Sequence, residues 1–204
     1  MVRFKEYISS QFGNPRGIVG KICCLIMNVM NRVMYRSVVK ELLVDEHSKV
    51  LEIGYGNGYL IEKLYKTRHP YIWGIDISKD MQEIAGKRNK KALAADKLKL
   101  LVGDCCALQF KNDFFDRVTS INTIYFWKST LKGLEEIHRV LKKDGVFINV
   151  VYSKEWLQRL SYTKYGFKIF EKDELIKLGK EAGFSEVIIK DIVHGKSYLV
   201  IYKK

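Results

Sequence analysis

The chain has 204 residues, which is enough for one domain with a sizeable hydrophobic core. It is 47% hydrophobic and 29% charged and contains no low-complexity run or internal repeat, which excludes disordered and repeat proteins. The net charge of +13 would suit RNA or an anionic lipid surface. However, 27 of the 36 basic residues are lysines scattered along the chain, whereas arginine makes the bidentate contacts with phosphates and bases. We therefore interpret the charge as a solvated surface and expect no specific nucleic-acid partner.

The longest apolar stretch runs from Ile22 to Met30, lies between Lys21 and Arg32 and is interrupted by Asn28. It is half as long as a bilayer span, so we predict no transmembrane segment. It also begins too far from the N-terminus, and without a small-residue cleavage site, to indicate a signal peptide.

The four cysteines form two adjacent pairs, Cys23-Cys24 and Cys105-Cys106. Neighbouring cysteines rarely bridge each other, and the sequence has no CxxC or Cys/His ligand spacing. This usage predicts a reduced, metal-free, cytoplasmic protein.

The first predicted element is a helix from about Ile18 to Leu43, with apolar residues at positions 22, 25, 26, 29 and 33. We treat residues 1–48 as a helical segment that forms a lid on the substrate side, and residues 49–204 as the core domain. Met27, Met30 and Met34 are flexible side chains suited to an adaptable apolar pocket. Such a helix in a basic protein also allows a weak contact with a membrane surface.

From residue 49 onward, strand-like and helix-like patterns alternate, which predicts an α/β fold with a parallel sheet covered by helices. Ser78 is placed to cap the predicted helix 78–91, and Gly145 is predicted to end the helix 129–141. The last two strands read as a closing hairpin. The predicted strands are 49–54, 71–76, 97–103, 115–122, 146–152, 185–193 and 197–204, and the predicted helices are 58–66, 78–91, 129–141 and 171–183.

A glycine turn follows the first strand of the core. The dinucleotide fingerprint needs glycine at its first, third and sixth positions, but Tyr59 occupies the sixth, and the third glycine is Gly58 instead. Glu52 precedes Gly54 and Gly56, and a carboxylate there disfavours a pyrophosphate and favours a cation. S-adenosylmethionine, which has an ammonium and a sulfonium, is therefore the predicted cofactor.

Two further acids follow the next strands. Asp76 ends the second strand, where its carboxylate can accept hydrogen bonds from both ribose hydroxyls. Asp104 follows the third strand, where it can accept from the adenine amine. These residues and Glu52 fall at the carboxyl ends of adjacent strands, which is the edge where open α/β sheets bind ligands.

The chain resembles the class I S-adenosylmethionine-dependent methyltransferases of the small-molecule type. The segments that resemble that family's successive motifs are VLEIGYGNGYL, GIDIS, LLVGDC, FFDRVTSIN, EEIHRVLKKDGVFI and ELIKLGKEAGF. The resemblance implies a Rossmann-like, seven-stranded, mostly parallel sheet whose last strand is antiparallel. It implies a cofactor site formed by Glu52, Gly54, Gly56, Gly58, Asp76, Asp104 and the backbone of Cys105. We add Ile77 and Asn122 to this predicted set.

The segment NTIYFW follows the fourth strand and would lie over the reacting methyl group. We predict a substrate pocket formed by Met30, Met34, Tyr125, Phe126, Trp127 and Trp156. The spacing from Asn122 to Tyr125 matches the Asn-Pro-Pro-Tyr motif of base-modifying methyltransferases, but both prolines are missing, which weakens a nucleic-acid interpretation. No general base is evident, and His194 and Tyr125 are weak candidates.

The function predicted from the sequence is transfer of a methyl group to a small, partly apolar metabolite. An RNA methyltransferase is the first alternative, favoured by the net charge and opposed by the low arginine count. A protein that binds the cofactor without catalysis is the second.

Overall fold

A computed structural model of the chain describes residues 2–13 and 15–204. The core of the fold is one sheet with the strand order β3-β2-β1-β4-β5-β7-β6. Strands β1 to β5 run parallel, and β7 is antiparallel to both of its neighbours. The predicted seven-stranded, mostly parallel sheet is therefore confirmed. The strands are β1 Lys49–Ile53, β2 Tyr71–Asp76, β3 Leu98–Val102, β4 Phe115–Ile121, β5 Leu141–Tyr152, β6 Glu186–Val193 and β7 Ser197–Lys203.

Helices cover both faces of this sheet. On one face Gly74 lies close to Ile61 of the helix after β1, and on the other Gly179 lies close to Tyr202 of β7. A side chain in place of either glycine hydrogen would collide with these neighbours, so both glycines permit close helix–sheet packing. The helices are α1 Val2–Gly13, α2 Gly17–Met30, α3 Arg32–Leu42, α4 Tyr59–Arg68, α5 Lys79–Arg88, α6 Lys90–Ala94, α7 Thr130–Val140, α8 Lys154–Arg159 and α9 Lys172–Glu181.

The N-terminal segment contains three helices, where the sequence predicted one. The chain bends by 65° at Asn31, between Ile22–Met30 and Arg32–Leu42. Helix α3 buries Met34, Val38 and Leu42 in the core, and the bend lets it lie against the sheet while α1 and α2 extend over its carboxyl edge. In the described part of the chain, no single helix is long and apolar enough to cross a membrane, and only the bent α2–α3 pair reaches that length and apolarity together.

The connection between α7 and β5 also differs from the prediction. Helix α7 ends at Val140, and Leu141 already pairs with Phe115, so β5 begins five residues earlier than position 146. The register then shifts before Val146 pairs with Arg117. Asp144, with φ 62°, takes the left-handed conformation at this irregularity. Because α7 already ends at Val140, Gly145 does not end the helix as predicted. Glycine is required there because a Cβ would lie 2.7 Å from the carbonyl oxygen of Lys142.

Candidate active site

A cavity of about 180 Å³ lies at the carboxyl ends of β1, β2 and β4. The turn after β1 and the loops after β2, β3 and β4 form its floor, and residues of α1, α2 and α3 form its roof. The predicted cofactor residues at the cavity are Glu52, Gly54, Gly56, Asp76, Ile77, Asp104, Cys105 and Asn122.

The glycine turn after β1 needs glycine for three different reasons. Gly54, with φ 70°, lies so close to Thr123 that a Cβ would be 2.3 Å from the threonine methyl group. Gly56, with φ 50°, faces open space and requires glycine for its backbone conformation alone. Gly58 lies behind the turn, where a Cβ would meet Asn89, and it does not line the cavity.

Asp76 is buried at the end of β2 and holds this turn in place. One carboxylate oxygen accepts from the backbone amide of Gly56 at 2.8 Å, and the other accepts from the amide of Ser78 at 2.9 Å. Burial raises the pKa of Asp76, although these backbone hydrogen bonds oppose the rise. A carboxylate has about four acceptor positions, so both oxygens keep a free one for a ligand hydroxyl.

Glu52 is the most buried acid at the cavity. Its Oε2 atom has no hydrogen-bond partner among the described residues. Burial raises the pKa of Glu52 well above its ordinary value, and the charge of Asp76 adds to the effect. A buried carboxylate without a partner is costly, and a cation entering the cavity would supply the missing interaction.

The loop after β3 places Asp104 at the cavity rim. Its carboxylate accepts from the amide of Cys106 at 2.9 Å and forms an ion pair with Lys128, also at 2.9 Å. Burial alone would raise the pKa of Asp104, but the Cys106 amide and the Lys128 ammonium together lower it. The loop therefore keeps Asp104 ionised and able to accept a hydrogen bond.

Asp104, Cys105 and Cys106 also place possible metal-ligand atoms within 4.8 Å of one another. Burial is the main cause that raises the pKa of the Cys105 thiol, and the neighbouring Cys106 and Asp104 raise it further. A metal binds the thiolate, so the Cys105 thiol would have to lose its proton before it could act as a ligand.

The roof of the cavity contributes a polar stripe that the sequence analysis missed. Asn28 of α2, Asn31 at the bend and Tyr35 of α3 all line the cavity, and in the sequence they are three and four residues apart. Tyr35 donates to the side-chain oxygen of Asn28 at 3.3 Å. This spacing of polar residues in an apolar stretch was a usable signal, but Asn28 was interpreted only as an interruption.

Asn122 joins the roof to the sheet. It takes the left-handed conformation with φ 56°, and its side-chain amide donates to Asn31 at 3.2 Å and to the sulfur of Met34 at 3.3 Å. Its side-chain oxygen accepts from the hydroxyl of Tyr125 at 3.0 Å. Asn122 thus has structural partners on three elements, and it still lines the cavity.

Comparison with known proteins agrees with this arrangement. A family model described as a methyltransferase domain matches residues 51–149, which include the glycine turn, Asp76 and Asp104. Residues 51–149 therefore form a methyltransferase domain of the class I, S-adenosylmethionine-dependent type. The resemblance inferred from the sequence is confirmed.

Three curated relatives of the methyltransferase illustrate the match. The uncharacterized methyltransferase YdaC of Bacillus subtilis (strain 168) is 28% identical over 59% of this chain and 65% of its own length. The 2-methyl-6-phytyl-1,4-hydroquinone methyltransferase 2 of Oryza sativa subsp. japonica is 31% identical over 74% of this chain and 42% of its own. The demethylmenaquinone methyltransferase of Staphylococcus aureus (strain JH9) is 26% identical over 94% of this chain and 90% of its own length. The chain therefore spans less than two thirds of the length of the first two relatives.

The fold is shared with solved structures of low sequence identity. A methyltransferase from Aquifex aeolicus, described as dependent on S-adenosylmethionine, superimposes with a TM-score of 0.70 at 21% identity, covering 83% of this chain and 88% of its own.

A second, smaller cavity of about 40 Å³ lies next to the first. The two cavities share five lining residues, and the walls of the second are mostly apolar and aromatic. Met30, Tyr125 and Phe126, which were predicted for the substrate pocket, line it. The shared residues are Phe12, Met27, Asn31, Asn122 and Phe126.

The other predicted substrate residues lie elsewhere. Met34 is buried in the core, where its sulfur accepts from Asn122, and it lines neither cavity. Trp127 lines the first cavity and donates through its ring nitrogen to Thr123 at 3.1 Å. Trp156 stacks on Tyr152 with ring centroids 6.4 Å apart and lines neither cavity.

The two candidate bases, His194 and Tyr125, both have hydrogen-bond partners within the fold. His194 lies in the β6–β7 turn with its side chain 98% exposed, beside Asp191 and outside both cavities. Although this turn is at the carboxyl edge, β5 and β7 separate it from β4. The hydroxyl of Tyr125 donates to Asn122 and accepts from the amide of Tyr152 at 2.7 Å, so its hydrogen-bonding capacity is used within the fold. Burial also raises the pKa of Tyr125 well above its ordinary value.

Proposed function

We propose that this methyltransferase binds S-adenosylmethionine in the first cavity and methylates a small, partly apolar aromatic acceptor, such as a quinol, that occupies the second. The observation that carries the proposal is that the two cavities share five lining residues, while acids and a glycine turn line one and mostly aromatic and apolar side chains line the other. A ligand at their junction would contact Asn31, Asn122 and Phe126.

The residues of the first cavity suit the proposed cofactor. Asp76 would accept from the ribose hydroxyls, Asp104 would accept from the adenine amine, and Glu52 would face the cationic end. The orphaned Oε2 atom of Glu52 supports this orientation, because only a cation or a donor satisfies it. Bound there, S-adenosylmethionine supplies a methyl group activated by the sulfonium.

The second cavity suits a flat, apolar acceptor. Phe12 stacks on Tyr162 with ring centroids 4.6 Å apart, and Phe126 meets Phe167 edge to face at 4.6 Å. These rings form a wall to which an aromatic acceptor can pack. Two of the curated relatives are named for hydroquinone or demethylmenaquinone substrates, which supports an acceptor of this class.

The contribution of the protein to catalysis would be alignment and exclusion of water. Holding two reactants in line can contribute on the order of 7–11 kcal/mol to lowering the barrier. The roof formed by Phe12, Asn28 and Asn31 covers the cavity and limits water there. Transfer to a quinol hydroxyl would form the bond from oxygen to the methyl carbon, break the bond from that carbon to sulfur and release the hydroxyl proton. That proton would pass to solvent, because Tyr125 is hydrogen-bonded within the fold and His194 lies outside both cavities.

The test has two parts. Calorimetric titration should show binding of S-adenosylhomocysteine and no response to NAD. Incubation with methyl-labelled cofactor should then label a quinol acceptor, and Phe167→Ala should lower transfer while leaving cofactor affinity within about tenfold. Phe110→Ala is the matched control, because Phe110 packs on Phe114 and Phe115 away from both cavities and should not change the acceptor preference.

The two alternatives predict different results. Label found in RNA would favour the RNA methyltransferase. Tight cofactor binding with no label in any acceptor would contradict the proposal and favour a non-catalytic protein.

A further inference from the structure

Helix α2 is apolar on both of its sides. Its inner side buries Cys23 and Cys24, and its sequence, Gly17–Met30, contains no acidic residue. A helix that is apolar all round is normally buried on all sides. Here the outer side is uncovered: Ile22, Leu25, Ile26 and Val29 are 52%, 57%, 52% and 77% exposed. We call these four residues the outer face of α2.

A groove of about 350 Å³ lies beside this helix, between α3 and α4. Four cations line it, and no acidic side chain does. Within residues 2–13 and 15–204, none of the four takes part in an ion pair, although the chain has many such pairs elsewhere. We call this the basic groove, and its cations are Arg32, Arg36, Lys40 and Lys63.

The outer face and the basic groove lie on segments that follow each other in the chain. Val33, which is 48% exposed, precedes Arg36 by three residues, so these two side chains are neighbours on α3. Val29 of the outer face precedes Arg32 by three residues, across the bend. One exposed region therefore combines large apolar side chains with unpaired positive charge.

The acidic residues Glu41 and Glu62 of α3 and α4 are paired with cations outside the basic groove. Glu41 of α3 forms an ion pair with Lys190, and Glu62 of α4 contacts Lys66 at 2.5 Å and Arg88 at 3.8 Å. The electrostatic potential at the basic groove therefore has the same positive sign as the net charge of the whole chain, +13.

We propose that the outer face of α2 and the basic groove together form a docking surface for an anionic lipid bilayer. The apolar side chains would insert at the level of the headgroups, and the four cations would lie against lipid phosphates and carboxylates. Binding at a membrane surface depends on apolar area that becomes buried in the bilayer and on electrostatic attraction to its headgroups. This surface can supply both.

The charge and apolarity of the surface favour a bilayer over other occupants. A nucleic-acid backbone would match the basic groove but would leave four large apolar side chains facing phosphates. A second copy of this chain would bring two positive regions together, which like-charge repulsion opposes. An anionic bilayer matches both the apolar outer face of α2 and the cations of the basic groove.

Docking would also place the cavities next to the membrane. Met27 and Asn28, on the inner side of α2, line the first cavity, so the same helix separates the cavity from the bilayer. If the proposed function is correct, an acceptor dissolved in the membrane would reach the site past this helix. The binding experiment does not depend on that function, because it needs neither cofactor nor acceptor.

The experiment is sedimentation of the full chain with vesicles of phosphatidylcholine alone or with about 30% phosphatidylserine. We expect strong preference for the anionic vesicles, weakening as salt rises. The double variant Leu25→Gln with Val29→Gln should lower vesicle affinity about tenfold or more. The double variant Arg36→Gln with Lys40→Gln should lower it by a similar factor at low salt. Glutamine keeps helix propensity, so melting curves should change little.

Two control variants carry the same kinds of substitution, but at positions outside the proposed docking surface. Leu93→Gln alters an apolar residue of α6 that is 40% exposed. Lys132→Gln with Lys177→Gln removes two positive charges from α7 and α9, neither of which lines the basic groove. Both controls should retain vesicle binding.

Equal binding to neutral and anionic vesicles, or equal losses in the control variants, would overturn the proposal. So would a concentration-dependent dimer in ultracentrifugation that Leu25→Gln with Val29→Gln abolishes while vesicle binding is absent. Binding of RNA that needs Arg36 and Lys40, without binding of vesicles, would also overturn it.

Discussion

The hydroxyl of Tyr152 donates a hydrogen bond to the side-chain oxygen of Asn31 at 2.8 Å, and both residues are buried. Asn31 lies at the bend between α2 and α3, and Tyr152 is the last residue of β5. The amide of Asn122 reaches the same oxygen at 3.2 Å. One side chain therefore ties the roof of the cavity to the ends of two strands.

Replacing Asn31 tests this connection. In Asn31→Ala, Tyr152 and Asn122 lose a buried acceptor, so the free energy of unfolding should fall by about 1–3 kcal/mol. Amide hydrogen exchange in residues 17–30 should become faster, because α2 loses its attachment. Ser153→Ala is the control: it removes a buried hydroxyl that accepts from Trp156 and donates to Gly195 at the same edge. It should lower stability without faster exchange in α2, and equal exchange in both variants would count against this role of Asn31.

Glu52→Gln should change the pH dependence of stability. The pKa of Glu52 is raised in the folded protein, mainly by burial and then by the charge of Asp76. The stabilising contribution of its protonated form is fully present below the ordinary pKa of a glutamate and is lost as the pH rises through the raised value. The ligand-free Glu52→Gln variant should therefore be the more stable protein on the alkaline side. Thermal unfolding of both proteins across pH measures this, and identical curves would contradict it.

Cofactor binding should release a proton from Glu52. A cation beside the carboxylate lowers its pKa, so binding below the raised value should release up to about one proton per site. Calorimetry in buffers of different ionisation enthalpy measures this release. Glu52→Gln should abolish it and weaken binding by about tenfold or more, which is 1.4 kcal/mol. Proton release that persists in the variant would assign it to another group.

Asp76→Ala should weaken cofactor binding by about 2–4 kcal/mol, because a charged acceptor for two hydroxyls is lost. Folding should also suffer, since the amides of Gly56 and Ser78 lose their acceptor. Asp45→Ala separates the two effects: Asp45 also accepts from two backbone amides, those of His47 and Ser48, in an exposed turn before β1. Titration of both variants should show lost affinity only for Asp76→Ala.

Removal of the candidate bases should leave the chemistry intact. His194→Ala should keep kcat/KM within about twofold, because this exposed side chain lies outside both cavities. Tyr125→Phe should lower the free energy of unfolding by about 1–2 kcal/mol, since Tyr152 and Asn122 lose a partner, and should leave the pH–rate profile unchanged. Loss of one limb of that profile in either variant would identify a base.

Much of the fold was predictable from the sequence because its signals are local. The alternation of strand-like and helix-like patterns predicted all seven strands, and the spacing of Gly54, Gly56 and Gly58 with Glu52 indicated the family. The side-chain cap at Ser78 and the strand Tyr71–Asp76 agree with the prediction. These features depend on residues within one turn or one strand, so a short stretch of sequence is enough to specify them.

Other features depended on contacts between residues far apart in the chain. The bend at Asn31 places its side chain against Tyr152, 121 positions away, and the periodicity of the helix alone did not predict it. Gly58 has the spacing of a cofactor glycine, but it packs on Asn89, and His194 in the final hairpin lies outside both cavities. The sequence by itself determined the strands, the glycine turn and the acids at the strand ends, because local hydrophobic periodicity and backbone conformation specify them. Only the tertiary structure decided which side chains meet in the cavities and which face of α2 stays uncovered, because packing free energy is shared among elements that are distant in sequence.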